Sequence, residues 1–276
     1  MAAQLSIIIP AYNAVKTIER TLRSVAASTI PLEVFVVDDG STDGTGELLD
    51  SFAEEFRPEN GTRLSVLHQP NCGAYQARLN ALKQIKTPYF GFVDADDTVD
   101  PAMFEKMVSA MESANLDAVQ CRISGERFRG GLSILYGAEL TRYKFSYLVA
   151  PKVSCYIWDK IYRNQYDFSK FETTDNVTNF DDMIFNLQFF KKIDRFGLLD
   201  EGLYNYSQTE GSVVHSFGPQ QKHDFNWMVD NHYRLTRGLF ANGEYGAVRL
   251  WLGHVHWYAI NLRSSIISRF RSRIRR

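Results

Sequence analysis

The first 125 residues alternate between two hydrophobic periods. Leu5–Pro10 (LSIIIP) and Leu32–Val37 (LEVFVV) are unbroken apolar runs rich in β-branched side chains, as expected of strands covered on both faces. Leu64–Leu67, Tyr89–Val93 (YFGFV) and Ala118–Ile123 predict three further strands. Between them the spacing turns helical. Val15–Ser28 puts Ile18, Leu22 and Val25 on one face, and Ser41–Phe56 opens on STDGT, where Ser41, Thr42 and Asp43 read as caps. Tyr75–Ile85 and Pro101–Ser113 complete the set, the last with proline at its start. This alternation predicts βαβ units, a mostly parallel sheet and helices on both of its faces.

The second half is less regular. Residues 126–180 hold many aromatics, short apolar runs and turn signals. Asp181–Lys192 (DDMIFNLQFFKK) predicts a helix with acids at its start and lysines at its end, as the helix dipole favours. Phe196–Leu199 and Leu203–Tyr206 predict two short strands joined by a turn at Asp200–Gly202. From about Pro219 the pattern is helical to the end, split near Asn242–Gly243.

Composition changes this picture little. The chain has 276 residues, 45% hydrophobic, enough for one large domain with a helical appendage. Lys and Arg number 31 against 32 Asp and Glu, so no nucleic-acid partner is expected. The charge is uneven, however: from Arg263 onward there are six arginines and no acid, with Leu262, Ile266, Ile267, Phe270 and Ile274 among them. Such a segment reads equally as an amphipathic helix on an anionic membrane surface, a frayed terminus, or an arm pairing with another subunit. Cys72, Cys121 and Cys155 lack metal or redox spacing and read as reduced thiols. LSIIIPAY is too short for a signal peptide, and no stretch reaches the ~18 apolar residues of a spanning helix. The expectation is a soluble cytoplasmic protein.

The candidate chemistry lies in the acids. In open α/β sheets ligands sit beyond the carboxyl ends of the strands. VVDDGS and FVDADD both end strands, which places Asp38, Asp39, Asp94 and Asp96 on one rim. Asp94 and Asp96, two apart, can face one ligand, and their mutual repulsion calls for a cation or hydrogen-bond donors. A hard divalent ion that bridges carboxylates to phosphates suits them. Asp97 and Asp100 read instead as caps of the Pro101 helix. On its own, Asp182 reads as a first-turn acid worth about 0.3–1 kcal/mol through the dipole. No phosphate loop of the GxxxxGK[ST] type is present, and no GxGxxG follows the first strand. His215, His223, His254 and His256 form no metal triad.

SIIIPAYN, VVDDGSTDGT, NCGAYQARLNAL, YFGFVDADD, CYIWDKIYR and FDDMIFN occur in the order seen in family-2 glycosyltransferases, and over residues 4–210 the chain resembles that family. The resemblance implies a GT-A fold, a Rossmann-like sheet flanked by helices with a C-terminal helical extension. It implies inverting transfer from a nucleotide sugar, usually a UDP-sugar, with Mg²⁺ or Mn²⁺. Residues 1–125 would form the nucleotide-sugar half, 126–215 the acceptor-side half of the same domain, and 216–276 the extension. Pro10, Ala11 and Tyr12 would line the nucleotide pocket, and Asp39 would face the base. Asp94, Ala95 and Asp96 match the Asp-x-Asp motif, the first acid toward the ribose or donor sugar and the second toward the metal. Arg78 matches the arginine of the Ala-Arg-Asn segment, although Leu79 stands where asparagine is usual and Asn80 follows. Asp182 matches the catalytic base, and Asp181 replaces the usual Glu before it. Trp158 and Lys160 match a Trp-x-Lys segment on the acceptor side. The 204–216 stretch resembles a loop over the diphosphate; it lacks an arginine near Gln208, which leaves Ser212 and His215 as its candidates.

The implied acceptor is a glycan or a lipid-linked saccharide of bacterial surface polysaccharide, teichoic-acid or glycolipid synthesis, made at the inner membrane face. A nucleotidyltransferase would need a Gly-rich basic loop after the first strand, and PAYNAVKT has none. The other alternative is an inactive sugar-nucleotide or glycan-binding module. The intact Asp94, Asp96 and Asp182 speak against it.

Overall fold

The computed structural model describes residues 2–125, 129–149, 155–171, 177 and 180–207, together with His223, Asp224, Trp227 and Asn231. The C-terminal helical extension, the arginine-rich segment, Ser212 and His215 lie outside the described residues.

One nine-stranded sheet organises the described chain. Strand β1 (Leu5–Ala11) is buried along its whole length between β2 (Leu32–Asp38) and β4 (Tyr89–Phe92), both parallel to it. Its unbroken Ile run is therefore explained: there is no solvent face. Strand β3 (Arg63–His68) adds a parallel edge beside β2. On the other side of β4 the order continues through β8 (Lys160–Arg163), β6 (Ala118–Ile123), β9 (Arg195–Asn205) and β5 (Thr98–Val99), and β7 (Leu132–Tyr136) also pairs with β9. β8, β5 and β7 run antiparallel to their neighbours, which makes the sheet mixed.

Helices cover both faces, as the alternation predicts. α1 (Ile18–Ala26) and α4 (Met103–Ser113) pack with Ile7 and Ile9 on one side. α3 (Ala74–Leu82) and α6 (Asp181–Phe190) pack with Ile8, Phe90 and Phe92 on the other. α2 (Thr45–Glu55) joins the first side through Leu49, and α5 (Gly137–Val149) joins the second through Leu140.

The structure corrects several boundaries. α1 begins at Ile18 rather than Val15, and α2 at Thr45 rather than Ser41, for a shared reason. The amides of Asn13, Ala14 and Val15 donate to Ser41 Oγ, Thr45 Oγ1 and Asp43 Oδ2 (3.0, 2.9 and 3.2 Å). Residues expected to cap α2 instead clamp the loop after β1, although Asp43 also accepts from the Thr45 amide (3.1 Å). Asp200–Gly202 is not a hairpin turn. β9 is continuous through it, and its register against β6 shifts there, so the turn-forming residues make an irregularity within one strand.

Candidate active site

The carboxyl ends of β1, β2 and β4 share a rim because the three strands are parallel and adjacent. Ala11 is buried at the end of β1, and Tyr12 beyond it is 53% exposed. Pro10 is buried opposite Val37. The loop is fixed by Asn13, whose backbone is left-handed (φ 50°) and whose Oδ1 accepts from the Thr42 amide (2.8 Å).

Asp38 and Asp39 face different partners. Asp38 accepts from the Ser41 amide (3.1 Å) and lies 2.9 Å from His68 Nδ1. Asp39 is 2% exposed, and its carboxylate accepts from the amides of Cys72 (2.9 Å) and Gly73 (2.8 Å) and from Gln69 Nε2 (2.7 Å). It thus fixes the loop that enters α3. Asn80 extends this network by donating to Gln69 Oε1 (2.9 Å), while Leu79 is buried in the core.

At the end of β4 the chain turns through Asp94, Ala95, Asp96 and Asp97. Asp94 and Asp96 are half-buried, and Asp96 has its carbonyl bonded by Arg20 (2.7 Å). Asp97 is not the solvated cap its sequence suggests. It is fully buried, accepts from the Tyr204 hydroxyl and from the Ser207 amide (both 2.7 Å), and is pushed up to about 7, first by burial and then by the charges of Asp94 and Asp96. The same Tyr204 oxygen accepts from the Asp94 amide (3.2 Å). Asp100 accepts from the Ala102 amide (2.8 Å) and so braces the turn that leads into α4, whose N-cap is Ala102.

Arg78 joins this turn to α6. Its guanidinium donates to Asp94 Oδ1 and to Asp181 Oδ2, both at 2.7 Å, and lies 3.7 Å from Asp182 Oδ1. Burial opposes the charge on Arg78, but the three carboxylates outweigh it and hold the group protonated. Asp182 Oδ2 also accepts, at 3.4 Å, from the Ile157 amide. Burial first, and then the neighbouring Asp181, push Asp182 well above the ordinary carboxylate range; Asp181 is raised too, chiefly by burial.

The structure thus brings Asp94, Arg78, Asp181 and Asp182 together. It does not bring Trp158 or Lys160 to a ligand face. Trp158 is 2% exposed, its ring covered by Tyr204 (centroids 4.3 Å apart) and Tyr156 (4.5 Å). Lys160 is buried and donates to Asp159 (2.7 Å) and to the Tyr156 carbonyl (2.6 Å), so its charge is spent within the core. Sequence reading missed Asp97, Tyr204 and Tyr156. The third acid of DADD, beyond what a cap needs, was the only available signal.

Among the described residues no group of three or more His, Cys, Asp or Glu is arranged to hold a metal. The rim acids nonetheless suit a hard divalent ion. They offer oxygen donors alone, from half-buried carboxylates two residues apart on one turn. Mg²⁺ and Mn²⁺ characteristically take one or two carboxylates and complete their shell with phosphate and water. Among the described residues no helix is long and apolar enough to cross a membrane. Cys72, Cys121 and Cys155 form no disulfide among the described residues.

The model of the family described as "Glycosyl transferase family 2" matches residues 6–180. The uncharacterized glycosyltransferase EpsJ of Bacillus subtilis (strain 168) is 30% identical over 254 residues, covering 86% of this chain and 72% of EpsJ. The poly(ribitol-phosphate) beta-N-acetylglucosaminyltransferase TarS of Staphylococcus aureus is 25% identical over 223 residues, 77% of this chain but 37% of that longer protein. Among solved structures, S. aureus TarS 1-349 in complex with UDP aligns with a TM-score of 0.67 at 20% identity, covering 92% of this chain and 70% of that one. A mannosyltransferase from Pyrobaculum calidifontis in complex with GDP-Man and Mn²⁺ aligns at 0.57 with 15% identity, over 97% and 81% of the two chains. These likenesses establish the GT-A fold. With its motifs in family order on that fold, and the family model spanning β1 to β8 with the rim acids and ending just before α6, the chain belongs to glycosyl transferase family 2.

Proposed function

We propose that the chain is a metal-dependent, inverting glycosyltransferase that moves a sugar from a UDP-sugar to a hydroxyl of a glycan or lipid-linked acceptor in bacterial surface-polymer synthesis. The observation that carries this reading is the Arg78 bridge. One buried guanidinium holds Asp94, on the expected donor side, and the Asp181–Asp182 pair, on the expected acceptor side, within one hydrogen-bonded unit.

An inverting displacement needs a carboxylate that takes the proton of the acceptor hydroxyl as its oxygen attacks the anomeric carbon. Asp182 has that role. Its raised proton affinity brings it nearer to the hydroxyl it must deprotonate, and the Ile157 amide orients one of its oxygens. Asp181 keeps Arg78 in place. Asp96, with Asp94 beside it, would hold Mg²⁺ or Mn²⁺, which when bound stabilises the charge of the leaving diphosphate. Pro10, Ala11, Tyr12 and the Asp39-anchored loop form the nucleotide side, and Arg78 with Asp94 orients the donor sugar. The domain division at about 125 and 215, a cytoplasmic location at the inner membrane face, and a membrane or subunit contact through the arginine-rich end belong to the same proposal. The EpsJ likeness supports glycosyl transfer, and the TarS likeness supports the polymer assignment. Incubation with UDP-, GDP- and dTDP-sugars, with and without Mn²⁺, tests it. Metal-dependent release of a nucleoside diphosphate is expected. Tight donor binding without turnover, across varied acceptors, would favour the inactive binding module.

A further inference from the structure

Four large apolar side chains are exposed among the described residues: Tyr12, Tyr136, Tyr156 and Tyr206. Tyr12 closes β1 at the nucleotide side, and Tyr136 carries the Arg195 guanidinium 6.0 Å from its ring centre. Tyr156 and Tyr206 belong to another arrangement. They are 40% and 41% exposed, yet both stack on the buried indole of Trp158, at centroid distances of 4.5 and 5.7 Å and interplanar angles of 17° and 15°. Trp158 stacks in turn on Tyr204, whose hydroxyl donates to Asp97.

Both residues stand next in sequence to a residue whose amide holds a site carboxylate. Ile157, next to Tyr156, donates its amide to Asp182. The Tyr156 carbonyl accepts from Lys160 Nζ (2.6 Å) and Asn186 Nδ2 (3.2 Å). Ser207, next to Tyr206, donates its amide to Asp97 (2.7 Å) and receives Arg20 on its hydroxyl (3.2 Å). One ring therefore starts from the expected base and the other from the acidic turn.

We propose that Tyr156 and Tyr206 form the platform for a pyranose ring of the acceptor, so that this glycosyltransferase takes a glycan rather than a linear polyol phosphate. The proposal rests on reading Asp182 as the base. One face of a pyranose presents a patch of C–H bonds whose positive edges match the negative face of an aromatic ring, and stacking takes that patch out of water while the hydroxyls stay hydrated at the rim. A linear polyol has no such face. Because Trp158 braces both rings before anything binds, little side-chain freedom is lost on stacking.

Saturation-transfer NMR on the full chain tests this with methyl β-glucopyranoside, methyl β-galactopyranoside and methyl N-acetyl-β-glucosaminide as probes, each with and without UDP and Mn²⁺. Transfer to ring protons is expected in the wild type, falling about fivefold or more in Tyr156→Ala and in Tyr206→Ala, since an aromatic face supplies most of the contact. Tyr156→Phe and Tyr206→Phe keep the ring and keep the signal. Calorimetric titration with UDP and melting curves on each variant verify that the chain is folded. The proposal is overturned if no pyranoside receives transfer in the wild type, if the alanine variants match it, or if ribitol 5-phosphate gives the same ring-dependent signal. Failure of the donor reading is separate: UDP then fails to bind in every form, whatever the pyranosides do.

Discussion

Asp94 and Asp181 meet on a single guanidinium: Arg78 donates to each at 2.7 Å and so ties the turn after β4 to the first residue of α6. Arg78 is buried, so the attraction is little screened, and loss of the cation strands carboxylates that burial already disfavours. Arg78→Ala is expected to destabilise the fold by about 3–5 kcal/mol, as for other broken buried pairs. Arg78→Lys keeps the charge but cannot span both acids. It should fold and yet lose donor turnover. Urea unfolding of both variants, with nucleoside diphosphate release on the lysine form, checks this.

Asp182 sets the acid side of the pH profile. Its proton affinity is raised in the folded protein, so at a given pH less of it is ionised than of an ordinary carboxylate. A base must be ionised to accept a proton, so turnover should rise with pH through a limb displaced upward from the usual carboxylate range. Asp182→Asn should abolish that limb, lower the rate by about 10²–10⁴-fold and spare UDP binding. A pH–rate profile that is flat from acid to neutral, or an Asn variant of near-full rate, contradicts the assignment.

Asp39 is expected to act mainly through structure. Its carboxylate satisfies two backbone amides and the Gln69 side chain at the entry to α3. Asp39→Ala leaves those buried donors unpaired and should cost about 1–3 kcal/mol. It should also weaken UDP, because the loop it fixes flanks the nucleotide side. Thermal melting and UDP titration separate the two effects.

The features legible in the sequence were those set by long, continuous patterns. β1 and β2 announce themselves because both faces are buried, and the helices between them show their apolar stripe. β5, β7 and β8 are short and carry no clean alternation, and β8 even holds a buried Lys160 whose charge Asp159 and the Tyr156 carbonyl compensate. The ends of α1 and α2 moved because a clamp between loops, invisible to local propensity, claimed the Val15 amide on one side and the side chains of Ser41 and Asp43 on the other. The same holds at the site. Asp94, Asp181, Asp182 and Arg78 could all be named from motif order, but not that the arginine joins the acids. Trp158 was named for the acceptor, whereas the fold buries it and leaves its neighbours Tyr156 and Tyr206 at the surface.

The most direct test of the account is calorimetric titration of UDP into the wild type and Asp96→Ala, with Mn²⁺ and with EDTA. If the rim acids exist to hold a cation against a diphosphate, wild-type binding requires Mn²⁺ and Asp96→Ala binds weakly in both conditions, by about tenfold or more relative to the metal-loaded wild type. Equal UDP affinity in Mn²⁺ and EDTA, unchanged by Asp96→Ala, would contradict it.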